Sequence, residues 1–319
     1  MPKDRFEFKQ FAIQQDRCAM KVGTDGVLLG AWVNVKGEGG QNDSTTIGNS
    51  EGTTIGNGEG TTIGNGESIT ISNSKSLSTY HVLDIGTGTG IIALMLAQRL
   101  SAQGQPFHIE AIEIDPSAAQ QAADNFLASP WSEHLTLHPQ SLADFDLQPH
   151  NLTTSEPIPP STQERNFSPP LRGGVGGESG SGGESSSFAL ILSNPPFYDA
   201  TLKPDDVSRA VARHKDSLPV ADIARYAATH LSPRGRLALI YPTAYDAEVM
   251  TATVLAGLHP IRLCDILTKQ GKPCKRRMAE FSAAASPLLR EQLIIRGADG
   301  SYTAQYRLLT EPYYLHLAD

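Results

Sequence analysis

The stretch that decides the fold is "YHVLDIGTGTGIIALMLAQRL", residues 80–100. It opens with a short apolar run that is typical of a buried strand, and it closes with apolar residues at helical spacing. Between these two runs, three glycines alternate with threonines. Glycine lets the backbone turn sharply and lets a ligand come close to it. The stretch therefore predicts a strand at 80–85, a turn at 86–90 and a helix at 91–100, arranged around a ligand site.

The same order of strand and helix continues along the chain. Strands that are apolar throughout and alternate with helices are typical of a parallel sheet covered by helices on both faces, so the predicted fold class is α/β. Apolar runs predict further strands at 107–115, 134–138, 188–194, 235–242, 259–267 and 291–296. Helical spacing predicts helices at 116–128, 221–231 and 244–256.

Two segments do not fit this pattern. Residues 45–68 contain an eight-residue unit, "TTIGNSEG" and two close copies, and residues 149–187 are rich first in proline and then in glycine and serine. Such compositions cannot bury a core of their own. We expect flexible inserts at 37–76 and 149–187 within one domain that spans residues 1–319. A tether or a partner site is the alternative interpretation of both inserts.

The overall charge hides basic clusters. The chain carries a net charge of −8, of which the two inserts contribute −4 and −2, so the remaining chain carries only −2. A nearly neutral body with local basic patches can bind RNA phosphates, although solvated surface charge is the alternative for any single cluster. The densest segment is "KQGKPCKRRMAEF", residues 269–281, and its candidate RNA-binding residues are Lys269, Lys272, Lys275, Arg276 and Arg277.

Composition also argues against several classes of protein. No run of about 18 apolar residues is present, so no membrane span is expected. The three cysteines, Cys18, Cys264 and Cys274, form no C-x-x-C pair and lie at no metal-ligand spacing. We expect free thiols in a reducing cytoplasm and no bound metal.

The glycine turn differs from a dinucleotide-binding turn. Its spacing is G-x-G-x-G, at Gly86, Gly88 and Gly90, rather than G-x-G-x-x-G. Asp84 precedes the glycines, and a carboxylate there suits a ligand with a cationic group and no pyrophosphate. S-adenosylmethionine is such a ligand. Glu113, at the end of the second strand, is expected to accept hydrogen bonds from its ribose hydroxyls, with Asp115 as the alternative.

A second motif, "NPPF", follows the strand at 188–194. The side-chain oxygen of Asn194 and the carbonyl oxygen of Pro195 can accept both hydrogens of a planar exocyclic amine and direct its lone pair towards a methyl donor. Pro195 and Pro196 would preset these acceptors. Phe197 offers a face on which a base can stack. These four residues are the predicted catalytic group, and Asn194 is also expected to border the cofactor.

Together with "FKQFAIQQDRCAMKVGTDGVLLGAW" (residues 8–32) and "ARHKDSLPVADIARYAATHLSPRGRLALIYP" (residues 212–242), these motifs resemble the bacterial tRNA1(Val) (adenine-37-N6)-methyltransferase family, a group of class I S-adenosylmethionine-dependent methyltransferases. The resemblance implies a Rossmann-like, mostly parallel sheet of seven strands with the last strand antiparallel. It also implies a cytoplasmic enzyme that methylates the N6 amine of an adenine in tRNA. The oligomeric state is left open.

The resemblance further implies a helix over residues 21–29 that covers the cofactor, with Thr24 and Asp25 as candidate contacts. A helix cap is the alternative for this pair. Ser141 stands where the class usually has an acidic or amide residue that contacts the cofactor's adenine, and Asp144 is the alternative. The other acceptors considered are guanine N2 in rRNA and a glutamine amide in a protein. An intact glycine turn and NPPF argue against a non-catalytic module, and both motifs argue against an NAD-dependent oxidoreductase.

Overall fold

The computed structural model describes residues 4–18, 21–35, 78–146, 187–197 and 218–316. The two predicted inserts lie outside the described residues, apart from residue 187.

The central feature is a mixed sheet of eight strands in the order β10-β8-β9-β7-β6-β3-β4-β5. A separate antiparallel hairpin, β1 (Arg5–Glu7) and β2 (Ala12–Gln14), precedes it. The strands of the sheet are β3 (Tyr80–Ile85), β4 (Phe107–Ile112), β5 (Leu135–His138), β6 (Phe188–Ser193), β7 (Leu231–Pro242), β8 (His259–Lys269), β9 (Arg276–Ser282) and β10 (Leu289–Arg296).

Helices cover both faces of the sheet. In the described ranges they are α1 (Thr24–Trp32), α2 (Ile91–Ala102), α3 (Pro116–Leu127), α4 (Leu142–Asp146), α5 (Val220–His230), α6 (Asp246–Leu255) and α7 (Ala304–Thr310). One apolar cluster joins α1, α2, α3 and α7 to one face, and a second joins α4, α5 and α6 to the other. Successive side chains of β3 lie on opposite faces of the sheet, so Val82 belongs to the first cluster and Leu83 to the second. The prediction of a mostly parallel sheet covered on both faces is confirmed.

The strand count and the position of the antiparallel strand were wrong. The sheet has eight strands because Arg276–Ser282, expected to belong to a connection, forms β9 between β7 and β8 and runs antiparallel to both. The last strand, β10, is parallel to its neighbour β8. Two arginines at the start of β9 obscure its apolar character, yet Met278, Ala279 and Phe281 are fully buried. Among the described residues, no helix is long and apolar enough to cross a bilayer.

Candidate active site

The carboxyl ends of β3 and β6 meet at the centre of the sheet. Ile85 pairs with Ser193, and the hydroxyl of Ser193 donates to the carbonyl oxygen of Ile85 at 2.7 Å. Gly86 and Asn194 are the next residues along these two strands. The structure therefore brings the start of the glycine turn and the NPPF motif together, at the edge where parallel α/β sheets bind ligands.

The glycine turn requires glycine at its three positions for backbone reasons. Gly86, Gly88 and Gly90 have φ angles of +72°, +59° and +81°, a region that residues with a side chain rarely adopt. A Cβ at Gly90 would also lie 2.5 Å from the ring of Phe126, whereas a Cβ at Gly88 would meet no described atom within 4 Å. Gly90 thus serves packing against α3, and Gly88 leaves the turn open towards the ligand edge.

Asp84 is a fully buried carboxylate directly before the turn. Burial raises its pKa to about 7, and the neighbouring Glu113 also raises it, while a hydrogen bond from Thr87 opposes the rise. The hydroxyl of Thr87 donates to Oδ2 at 2.7 Å. The backbone N–H of Ala93, in the first turn of α2, also lowers the pKa of this carboxyl, although its distance or angle from Oδ1 falls outside the range of an ordinary hydrogen bond. A cationic ligand group would stabilise this carboxylate.

The two acidic residues after β4 have different roles. Glu113 accepts hydrogen bonds from the backbone N–H of Gly88 at 2.8 Å and of Asp115 at 2.9 Å, so it is held against the glycine turn. Asp115 caps α3 by accepting from the N–H of Ala118 at 2.7 Å. Asp115 is therefore occupied by the helix, and Glu113 borders the site. β4 ends at Ile112, before the predicted end at residue 115, and Ile114 is 47% exposed.

Ser141 and Asp144, the two candidates for an adenine contact, bind each other. The hydroxyl of Ser141 donates to Asp144 Oδ2 at 2.6 Å and accepts from the N–H of Asp144 at 3.1 Å. This is the geometry of a helix cap at the start of α4. Ser141 nevertheless follows β5, two strands from the glycine turn along the same edge of the sheet.

Helix α1 lies closely on α2. A Cβ at Gly26 would be 3.4 Å from Ile91, the first residue of α2, and a Cβ at Gly30 would be 3.0 Å from Met95. Small residues at this spacing bring the start of α1 next to the end of the glycine turn. The cap interpretation of Thr24 and Asp25 was wrong, because the N-cap is Gly23 and no side chain caps the helix.

The side chains of Thr24 and Asp25 have different surroundings. Thr24 is exposed at the first position of α1. Asp25 instead accepts a hydrogen bond from Arg276 at 3.0 Å, which ties α1 to the start of β9. Thr24 thus remains the more available of the two for a ligand.

Sequence reasoning missed Asn125 on α3, which is 2% exposed. Its side chain binds both backbone groups of Gln14, accepting from the N–H at 2.8 Å and donating to the carbonyl at 2.9 Å. It also donates to the carbonyl oxygen of Thr89, within the glycine turn, at 2.9 Å. The available signal was an amide side chain on the apolar face of an amphipathic helix, near its C-terminal end, since buried polar groups need partners.

The NPPF motif is backed by aromatic rings. Pro195 is buried, and Asn194, Pro196 and Phe197 are partly buried. The ring of Phe197 lies 4.9 Å from that of Tyr245 and 6.3 Å from that of Tyr241, measured between centroids. Both tyrosines come from the carboxyl end of β7 and the turn that follows it. This cluster was not predicted from the sequence.

The basic segment forms the tip of a hairpin at the same edge of the sheet. β8 ends at Lys269 and β9 begins at Arg276, and Lys272 and Lys275 are exposed in the connection. Thr243 holds this connection beside the NPPF side of the site. Its N–H donates to the carbonyl of Lys275 and its hydroxyl to that of Cys274, both at 3.1 Å.

The two arginines of this segment already have carboxylate partners. Arg276 pairs with Asp25, as described above, with 42% of its side chain exposed. Arg277 is only 17% exposed and binds Asp246 at 2.5 Å and Asp265 at 2.7 Å. Arg277 thus joins β9 to β8 and α6, which is a structural role that the sequence analysis did not foresee.

All three cysteines are free thiols, as predicted. Within the described ranges, no group of three or more histidine, cysteine, aspartate or glutamate residues is arranged to hold a metal ion.

Comparison with known proteins gives close relatives over nearly the whole chain. No protein-family model matches it. A tRNA1(Val) (adenine(37)-N6)-methyltransferase of Porphyromonas gingivalis is 34% identical over 98% of this chain and 96% of its own. A protein of the same name from Aeromonas hydrophila is 31% identical over 98% of both chains. A solved structure described as a "predicted O-methyltransferase" from Agrobacterium tumefaciens covers 77% of this chain and 95% of its own, with a TM-score of 0.48 and 14% identity. The two sequence relatives show that this chain belongs to the tRNA1(Val) (adenine(37)-N6)-methyltransferase family.

Proposed function

We propose that this protein transfers a methyl group from S-adenosylmethionine to the exocyclic N6 amine of an adenine in tRNA. The names of its relatives indicate position 37 of tRNA1(Val) as the target. The observation that carries the proposal is the position of Asn194, directly after a strand that pairs with the strand leading into the glycine turn. A tRNA substrate also implies that the protein works in the cytoplasm.

The residues around the turn suit S-adenosylmethionine. Asp84 presents a buried oxygen without a normal partner, and Glu113 stands beside Gly88. The charge of Glu113 raises the pKa of Asp84, so a cationic ligand group beside Asp84 would be stabilised, and ribose hydroxyls can donate hydrogen bonds to Glu113. The bound cofactor would supply an activated methyl group. Its candidate contacts in this chain are Thr24, Asp84, Gly86, Gly88, Gly90, Glu113, Ser141 and Asn194.

The exposed side chain of Ile114 adds an apolar surface next to Glu113. A flat purine could cover it, which would remove apolar area from water. Ser141, one strand further along, is the candidate for a polar contact to the same ring. We thus assign two residues to the adenine ring of the cofactor, Ile114 and Ser141, whereas the sequence suggested only a polar residue.

Asn194 and Pro195 would prepare the acceptor amine. Their oxygens accept its two hydrogens, so its lone pair is drawn out of the ring plane and aimed at the methyl carbon. Phe197 stacks on the base, and Pro195 and Pro196 keep the acceptors fixed. After transfer the nitrogen carries a positive charge and releases one proton to water, so no histidine or aspartate base is required.

The tip of the β8–β9 hairpin is the proposed RNA contact. Lys269, Lys272 and Lys275 would bind phosphates that flank a base held at NPPF; the support is that Thr243, which follows β7, is hydrogen-bonded to the connection that carries Lys275. Arg276 is half exposed and can contribute, although Asp25 competes for it. Arg277, which two carboxylates engage, is assigned to holding the hairpin in place rather than to phosphate binding.

The test is isotope-labelled methyl transfer to purified tRNA1(Val), followed by nucleoside mass spectrometry and mapping of the labelled position. We expect labelled N6-methyladenosine at position 37 and at no other position. A guanine N2 amine in rRNA or a protein glutamine amide is the alternative acceptor, since NPPF can hold any planar amine. Label found only in N2-methylguanosine or in protein would refute the adenine proposal.

We also propose that residues 1–319 form one methyltransferase domain that carries two flexible inserts, at 37–76 and 149–187. The support is that α1 and β3, on either side of the first insert, share one apolar cluster, and that β5 and β6, on either side of the second, belong to one sheet.

A further inference from the structure

Tyr245 is the closest aromatic neighbour of Phe197 among the described contacts. Their ring centroids lie 4.9 Å apart with an angle of 46° between the planes. Tyr245 is partly buried and ends the short 3-10 turn Thr243–Tyr245, directly after β7. This separation falls in the range where aromatic pairs attract each other beyond their apolar burial.

The turn that carries Tyr245 is fixed on both sides. On one side, Thr243 donates two hydrogen bonds to the backbone of Cys274 and Lys275. On the other side, Asp246 binds Arg277 at 2.5 Å and accepts from the hydroxyl of Tyr241 at 3.0 Å. Every one of these partners except Tyr241 belongs to the β8–β9 hairpin tip or to the start of β9. The residues on both sides of Tyr245 therefore tie its turn to the basic hairpin.

Phe197 is partly buried, and its ring packs against the apolar cluster on the face of the sheet that α4, α5 and α6 cover. A ring that must stack on a base gains from being held in one orientation before the base arrives, because ordering it then costs less.

We propose that Tyr245 is a positioning residue for the target base: its ring sets the orientation of Phe197 and links the base-stacking position to the RNA-contacting hairpin. The ligand of this pair is a planar nucleobase of an RNA strand. The inference rests on the proposed function and adds to it a residue outside the NPPF motif.

The experiment compares three variants. Tyr245→Phe keeps the ring, and Tyr245→Leu keeps apolar volume without it. Tyr302→Leu is the matched control, because Tyr302 is also a partly buried tyrosine stacked on another ring, 4.8 Å from Tyr306, near the distant strand β10. For each variant, the single-turnover rate of methyl transfer to tRNA1(Val) and the Kd for S-adenosylmethionine are measured.

We expect Tyr245→Leu to lower the rate about fivefold to tenfold, as loss of one aromatic pair predicts. Its Kd for S-adenosylmethionine should change less than twofold. Tyr245→Phe should keep at least half of the rate, and Tyr302→Leu should keep all of it. This pattern supports a positioning role, which a general loss of folding would not reproduce.

Three results would overturn the inference. They are an unchanged rate in Tyr245→Leu, an equal loss in Tyr245→Phe, and a rate loss matched by an equal loss of cofactor affinity. A wild-type protein that methylates no tRNA would instead refute the proposed function itself, and the inference with it. The wild-type reaction therefore separates the two failures.

Discussion

Asn125 donates a hydrogen bond from its side-chain nitrogen to the carbonyl oxygen of Thr89, and this bond connects α3 to the glycine turn. The same side chain binds Gln14, whose segment leads towards α1. One buried amide thus holds together the ligand turn and the chain that enters the helix above it.

Replacement of Asn125 by alanine should weaken both binding and stability. The backbone groups of Gln14 and Thr89 would lose buried partners, so we expect the free energy of unfolding to fall by about 1–3 kcal/mol. The Kd for S-adenosylmethionine, measured by calorimetry, should rise several-fold. Gln120→Ala on the exposed side of the same helix is the control. Unchanged cofactor affinity in Asn125→Ala would show that the turn does not depend on this bond.

The affinity for S-adenosylmethionine should depend on pH through Asp84. Burial raises the pKa of this carboxyl to about 7, so in the cofactor-free protein it carries a proton below that pH. A bound cation favours the carboxylate, and binding below pH 7 must therefore release the proton. We expect affinity to rise by up to about tenfold per pH unit between pH 5.5 and 7 and then to level off. Titrations in Asp84→Asn should show weaker binding and a flat profile, and a flat profile in the wild type would contradict the assignment.

Asn194→Ala should separate chemistry from cofactor binding. Without the amide oxygen, one hydrogen of the acceptor amine is no longer held, and the preset electrostatic stabilisation is lost. Removal of one such polar group typically lowers kcat about 100-fold to 1000-fold. The Kd for S-adenosylmethionine should stay within a few-fold of the wild-type value. Near-normal turnover of the variant on tRNA would eliminate the amine-holding mechanism.

Gly90→Ala should destabilise the protein far more than Gly104→Ala. Both glycines have positive φ angles, +81° and +64°, but only at Gly90 would the new Cβ strike a ring, that of Phe126 at 2.5 Å. Left-handed strain costs about 1–2 kcal/mol, and overpacking adds about 1–3 kcal/mol at Gly90 alone. Urea unfolding of the two variants measures the difference. Equal losses would mean that Phe126 moves aside without cost.

Replacement of residues 40–74 by a short glycine-serine linker should leave the melting temperature almost unaltered. Repeats with one apolar residue in each unit bury little surface, and loop length changes closure entropy only slowly. Differential scanning calorimetry of the shortened and full chains provides the comparison. A drop of many degrees would show that the repeat packs against the rest of the protein.

The sequence was sufficient for the features that depend on neighbouring residues. The alternation of apolar strands and helices placed Gly86 and Asn194 at the same edge, and the pairing of β3 with β6 agrees. The start of α3 at Pro116 was also predicted correctly, because proline is favoured in the first turn of a helix. Local patterns of this kind are reliable because each depends only on residues within one helix, strand or turn.

Contacts between distant parts of the chain could not be read in this way. Arg276 and Asp25 are 251 residues apart, and Asn125 and Gln14 are 111 apart. Whether a basic residue binds a phosphate or a carboxylate depends on which strands become neighbours. Because β9 lies between β7 and β8, Arg277 binds carboxylates of the protein itself. The same insertion accounts for the missed strand.

The reversed direction of β9 has a consequence for how substrate choice can change. Because β9 is antiparallel to its neighbours, the β8–β9 connection, residues 270–275, is one short loop at the same edge of the sheet as the NPPF motif. The residues proposed to contact the cofactor instead lie in α1 or at the carboxyl ends of β3, β4, β5 and β6. Exchange of this loop between homologues should therefore transfer the preference for one RNA over another and leave the proposed cofactor site intact.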